Sequence, residues 1–127
     1  MPRDPAQSPL DDRIRGQHML EAARDVVLLA TGKGRGDLRA NMTLRRAMIN
    51  AIQEIGEAAS RVSPSGRARM AAVQWNQMVG MRHRLVHGYD VINLDIVWQV
   101  ATQEVSPLIA ALESAFVLWP MPEMPKD

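Results

Sequence analysis

The run Gly80-Met81-Arg82-His83-Arg84-Leu85-Val86-His87-Gly88-Tyr89-Asp90 concentrates the side chains of this sequence that could do chemistry. His83, His87 and Tyr89 lie within seven residues of Arg82, and two of the three histidines are here. Helical spacing from Trp75 to His87 places Trp75, Met78, Val79, Leu85 and Val86 on one apolar face with Arg82 in its middle. An arginine cannot shed its charge, so burying one without a partner costs several kcal/mol. The spacing therefore predicts a compensating group: a carboxylate such as Glu57 or Asp25, a partner chain, or a bound phosphate.

Two chemistries fit the cluster. His83 and His87 are four apart on one predicted helix flank, with Asn76, and such pairs bind metals. The adjacent Arg82 and Arg84 oppose a cation and no third ligand is at hand, so neither metal nor cofactor is expected. In the second chemistry Arg82 holds a phosphate while His87 moves protons. An imidazole at a helix C-terminus is readily protonated. It could deprotonate a ribose 2′-OH, and as imidazolium protonate the leaving 5′-oxygen. Arginine would offset charge growing on the phosphoryl oxygens. Arg82 and His87 are about 140° apart on an ideal helix, at 3.6 residues per turn. They meet only if the helix unwinds near Gly88, if the arginine reaches around, or if two copies pool their residues across a two-fold axis.

The elements that must position these groups read as helices. From about Leu10 to Thr31, Met19, Ala23, Val26, Val27 and Ala30 share a face, and Gly32 to Gly36 end it. A short helical turn near Asp37 is expected. The next helix, about Met42 to Val62, carries the stripe Leu44, Met48, Ala51, Ile52, Ile55, Ala58 and Ala59. Gly56 within it costs roughly 1 kcal/mol relative to Ala, which marks either a close backbone approach or simply a weak spot in the helix. Ser63-Pro64-Ser65-Gly66 starts a connection, and a long helix from Val73 or Trp75 to His87 follows, with Gly88 as a left-handed cap. Asn93 caps the last helix, where Pro107 predicts a kink or a new segment capped by Ser106. The tryptophans and the nine methionines read as core packing. The whole is an all-α, up-and-down bundle of four to five helices over residues 10–119. Loose Pro-containing ends are expected at 1–9 and 120–127.

Composition narrows the function classes. The 127 residues make one domain, 46% hydrophobic and 23% charged, without cysteine, so disulfide, thiolate-metal and cysteine-nucleophile chemistry are excluded. No apolar run approaches the roughly 20 residues of a membrane span, and the N-terminus does not read as a signal peptide, so a cytoplasmic location is expected. The net charge of +1 hides a segregation: −1 over residues 1–32, +7 over 33–84 and −5 over 85–127. Thirteen of the 15 cations are arginine, suited to bidentate phosphate contacts. A basic surface for nucleic acid and a set of solvated helix faces both fit this pattern.

At Arg82, four residues, His87, Gly88 and Tyr89 the sequence resembles the HEPN family, in particular its HepT-like bacterial branch. The run GMRHRLVHGYD, the earlier IGEAA (55–59) and LDIVWQV leading into the last helix carry the resemblance, which spans about residues 10–118. The residue after the motif arginine is often Asn in that branch; here it is His83. The resemblance implies a homodimeric bundle in which Arg82 and His87 of both chains form a ribonuclease cleft. It also implies a toxin–antitoxin pair, in which a minimal nucleotidyltransferase transfers AMP from ATP to Tyr89 and silences RNA cleavage, with tRNA among the RNA substrates to test. His83 would orient Arg82, touch RNA or stand solvated, and Asn50 and Glu57, seven apart on one helix flank, would support the cleft or serve as ordinary polar groups at the surface. The competing reading is a non-catalytic helical module that binds nucleotide or the nucleotidyltransferase.

Overall fold

The computed structural model describes residues 8–88 and 91–123. Helix α1 (Pro9–Ala30) opens on a reciprocal cap: Asp11 N–H donates to Ser8 Oγ (3.1 Å), and Ser8 N–H donates to the Asp11 carboxylate (2.9 Å). Proline at the first helical position suits this start, since its missing N–H would have no intrahelical partner. The helix begins one residue before the expected boundary, so Ser8 and Pro9 belong to it. Gly32 follows its end with φ +75°, as the glycine cluster predicts. The turn near Asp37 is a short helix, α2 (Arg35–Ala40). Asn41 then caps α3 (Met42–Ser60) by accepting from Leu44 N–H.

All seven residues of the α3 stripe are buried, and they meet Met19, Ala23 and Val26 of α1, each fully enclosed. Val27, expected on the same face, is 36% exposed at its edge. The two long helices run antiparallel. Asp12 near the start of α1 accepts from Ser63 N–H and Oγ just past the end of α3 (2.9 and 2.5 Å), while Leu28 shares a cleft with Ala47 near the start of α3. Where a plain connection was expected, Ser63 caps a further helix, α4 (Pro64–Arg69), because its hydroxyl accepts from Gly66 N–H and Pro64 fills the first position.

The expected long helix from Trp75 to His87 is broken. Gly80 separates two single-turn helices, α5 (Trp75–Val79) and α6 (Met81–Leu85), and the chain then becomes extended. Val86 and His87 (β1) pair antiparallel with Val91 and Ile92 (β2), in the register Val86 to Ile92 and His87 to Val91. β-branched residues on both arms favour this ribbon over helix. Gly88 adopts the anticipated positive φ (+46°), but it turns a hairpin rather than capping a helix: Val91 N–H bonds its carbonyl. Asn93 N–H, donating to Leu85 O at 2.7 Å, ties the hairpin's exit to the end of α6.

Asn93 caps α7 (Leu94–Gln99) as expected, accepting from Asp95 and Ile96 N–H. A π-helical turn (Val100–Glu104) follows and leads into α8 (Val105–Val117), so the irregularity precedes Pro107 and Ser106 does not cap. A proline in a regular helix collides with the carbonyl four residues back, and the wider π turn upstream relieves that collision. Helix α8 runs antiparallel to α1. Arg24 pairs with Glu113 (3.0 Å), and the buried Arg13 lies 3.4 Å over the Phe116 ring while donating to Trp119 O (2.6 Å). The fold is thus all-α with one minimal hairpin. The tryptophans sit half-buried at the rim of the core. Among the described residues, no helix is long and apolar enough to cross a membrane.

Candidate active site

Gly56 sets how closely the motif segment can lie on α3. A Cβ there would stand 2.9 Å from Met81 Cβ and 3.1 Å from Met78 O. The close approach that the sequence suggested is therefore real, and it brings Met81, the residue before Arg82, against α3. Along the outer flank of α3 the spacing of Gln53, Gly56, Glu57 and Ser60 forms one wall of a cleft of about 520 Å3, and Val79 and Arg82 form the other.

Arg82 is exposed in that cleft rather than buried in an apolar face. Met78, Met81 and Leu85 are buried at helical spacing across Gly80, so the inward face runs along these three and leaves Val79 and Arg82 exposed beside it. The arginine that does face desolvation is Arg84. Its guanidinium makes two parallel hydrogen bonds to the Glu104 carboxylate (2.6 and 2.7 Å), with side chains 25% and 10% exposed. These hydrogen bonds hold the Glu104 carboxyl below the usual carboxylate range and raise Arg84, against burial that acts the other way in both. Gln99 Nε2 donates to the same carboxylate at 3.2 Å. The π turn ends on Glu104, and the pair fastens α6 to the last helix. Sequence reasoning missed this contact. The available signal was Met81, which with Met78 and Leu85 at helical spacing marks a face that leaves Arg82 outside.

Glu57 shares the cleft with Arg82 and makes an exposed ion pair with Arg61 (2.9 Å). Asn50 is placed elsewhere, donating to Glu54 at 3.1 Å in a separate cleft with Asp25 and Leu28. His83 is exposed on the single turn of α6. Because that helix ends at Leu85, His83 and His87 do not share a helix flank, which removes the geometry behind the metal-pair reading. His87 also sits two residues past the helix end, in β1, not at a helix terminus. Its side chain, like all of Tyr89, lies outside the described residues. What the fold does place is the His87 backbone, in the extended arm that begins one residue after the helix carrying Arg82. The unwinding occurs at Val86, earlier than the expected Gly88.

The HepT-like ribonuclease family matches residues 19–115, which include the whole of this segment. A Methanocaldococcus jannaschii protein named as a candidate RNase is 30% identical over 95 residues, 75% of this chain and 87% of that one. A Caldanaerobacter subterraneus protein, also named as a candidate RNase, is 27% identical over 72% of this chain and 82% of its own length. A Thermococcus cleftensis protein named as a probable ribonuclease HepT is 25% identical over 53% of this chain and 61% of that one. No solved structure matches the chain.

Proposed function

The chain belongs to the HepT-like ribonuclease family, and from that premise we propose that it is a metal-independent endoribonuclease whose catalytic pair is Arg82 and His87. The observation that carries the reading is the exposed arginine in an open cleft, on a single-turn helix that leads directly into the extended arm bearing the histidine. In the reaction, neutral His87 accepts the proton of a ribose 2′-OH as that oxygen attacks phosphorus. The P–O5′ bond breaks, and an imidazolium protonates the leaving 5′-oxygen, giving a 2′,3′-cyclic phosphate and a 5′-hydroxyl. Arg82 contributes bidentate hydrogen bonds to the phosphoryl oxygens as charge builds. A homodimer would supply His87 twice, one copy as base and one as acid. Glu57, across the cleft from Arg82, orients the guanidinium; His83 adds a contact to RNA; Asn50, bound to Glu54, acts on neither directly.

In this reading the activity is that of a toxin held in check by a partner nucleotidyltransferase. The Tyr89 hydroxyl attacks the α-phosphorus of ATP, pyrophosphate leaves and the phenolic proton is lost, so that Tyr89 carries a phosphodiester-linked AMP. The added anion and bulk would exclude RNA.

The test is cleavage of total RNA, tRNA included, in EDTA by wild type beside Arg82→Ala and His87→Ala, with intact mass recorded on each sample. Cleavage by wild type that both substitutions abolish is the expected result. Silence from wild type of unmodified mass would replace the nuclease with a nucleotide- or protein-binding module. Loss of cleavage in EDTA would replace the histidine mechanism with a metal-dependent one. Tyr89→Phe should refuse AMP from the partner enzyme while still cutting RNA. A monomer by light scattering at micromolar concentration would remove the two-copy site.

A further inference from the structure

The RNA chain must be held beyond the bond that is cut, and the clefts of the molecule differ in their capacity to do so. Counting the charged side chains that line each of five clefts, the one between α1 and α3 is net negative, with three carboxylates against two arginines. The Arg82 cleft has Arg82 and Glu57 among its lining residues, and Glu57 is already paired with Arg61, which leaves a single cation there. The two beside Glu104 and beside Asp25 with Glu54 are lined by carboxylates. One is net positive by its lining side chains: a cleft of about 400 Å3 with Arg39 and Arg45 on one side and Ile92, Asn93 and Asp95 on the other. Its carboxylate, Asp95, is neutralised by Arg35 at 3.2 Å.

Arg45 is held ready for a ligand. It donates through Nη1 to the carbonyls of Leu38 and Arg39 (3.1 and 2.9 Å), which fixes the guanidinium and lowers the entropy lost when a further partner arrives. Arg39, Arg35 and Lys33 are exposed beside it. The opposite wall starts at the motif hairpin and continues into the first turn of α7: Ile92 pairs with Val86, and Val91, one residue earlier, pairs with His87. The positive cleft therefore begins one residue from the strand partner of the catalytic histidine.

We infer that this cleft is a phosphate subsite for single-stranded RNA, in which Arg39 and Arg45 grip the backbone at a distance from the scissile phosphate, since Arg45 and Glu57 of the Arg82 cleft are about 18 Å apart along α3. The inference rests on the nuclease reading and adds to it the path of the strand. The experiment measures anisotropy of a dye-labelled single-stranded RNA with His87→Ala protein, which holds the substrate without cutting it, between 50 and 200 mM salt. On single strands each neutralised phosphate contributes about −0.7 to the slope of log K against log salt. Adding Arg39→Gln should weaken binding by roughly three- to tenfold and flatten that slope by about 0.7, one phosphate contact's worth. Arg39→Lys should restore most of the slope. Arg24→Gln, an exposed cation paired to Glu113 on the opposite helix pair, should change neither. Arg39→Gln behaving like Arg24→Gln, while wild type cuts and binds RNA, would overturn the subsite alone. If Arg39→Gln spares RNA but abolishes capture of the purified nucleotidyltransferase, the surface is a protein dock and the subsite is likewise overturned. Failure of wild type to bind or cut RNA would overturn the nuclease reading itself.

Discussion

Glu104→Gln separates the charge of the Arg84 pair from its shape. The amide retains an acceptor for one of the two guanidinium hydrogen bonds but gives up the negative charge and the second acceptor. Two unit charges about 4 Å apart attract by about 4 kcal/mol at an effective dielectric constant of 20. Desolvation offsets part of this, and with Arg84 one quarter exposed, water re-solvates part of the abandoned cation. A net loss of about 2 kcal/mol follows, between the value of a charged hydrogen bond and that of a fully buried pair. For a domain of this size that lowers Tm by roughly 8 °C. The dependence on pH has a fixed sign. The folded-state carboxyl is depressed below its ordinary 4.5, so its contribution is fully present above that value and fades as pH falls through the folded one. Urea unfolding of wild type and Glu104→Gln at pH 7 and pH 3 should therefore show a gap that narrows in acid. A gap under about 0.5 kcal/mol at pH 7, or one equally wide at pH 3, would refute the reasoning. Replacing both partners by Arg84→Met and Glu104→Leu should recover most of the loss, because no charge is then stranded.

Gly56→Ala gains about 1 kcal/mol of helix propensity but drives a methyl into Met81 Cβ and the Met78 carbonyl. The contact should win, for a net destabilisation of about 1–2 kcal/mol in chemical denaturation and weaker RNA cleavage as the Arg82 turn is pushed off α3. Gly36→Ala in α2 meets nothing within 4 Å and should stabilise by up to about 1 kcal/mol in the same assay. Asp12→Ala removes a 2% exposed acceptor and strands Ser63 N–H. The expected cost is about 2–4 kcal/mol by urea unfolding, with little recovered by Asp12→Asn, whose amide cannot serve both Ser63 donors as an acceptor.

The long helices were readable because their stripes repeat over several turns. The α3 stripe is enclosed along its whole length, and Asn93 and Gly32 stand where helices begin and end. The same periodicity misled over Trp75–His87. Thirteen residues of helical pattern left open which side faces inward: Met78, Met81 and Leu85 are buried, whereas Val79, expected on the apolar face, is exposed, and that choice of face decided whether Arg82 was enclosed. The Arg84–Glu104 contact joins residues twenty apart on different elements, a pairing that spacing within one helix cannot express. Asp12 and Arg13 were hidden for another reason. Each is buried by a distant segment, the start of α4 and the end of α8, so nothing local marks them as more than surface charges. Of the expected supporting residues on α3, Glu57 lines the Arg82 cleft, whereas Asn50, two turns nearer the start of the helix, lies in a different cleft.

The π turn has a further consequence when the last helix is read as a count of rotations. Nineteen steps separate the buried Val97 and Phe116, and at about 100° each they overshoot five full turns by about 100°. An unbroken α-helix would therefore swing Phe116 off the side that Val97 faces. The widened turn absorbs one residue and cancels the overshoot. A chain one residue shorter could run as plain α-helix and bury the same side, so the core by itself has no use for the extra residue. What the lengthening secures is the direction of Glu104: a surplus step in the scaffold is exchanged for a carboxylate aimed at the segment that carries Arg82.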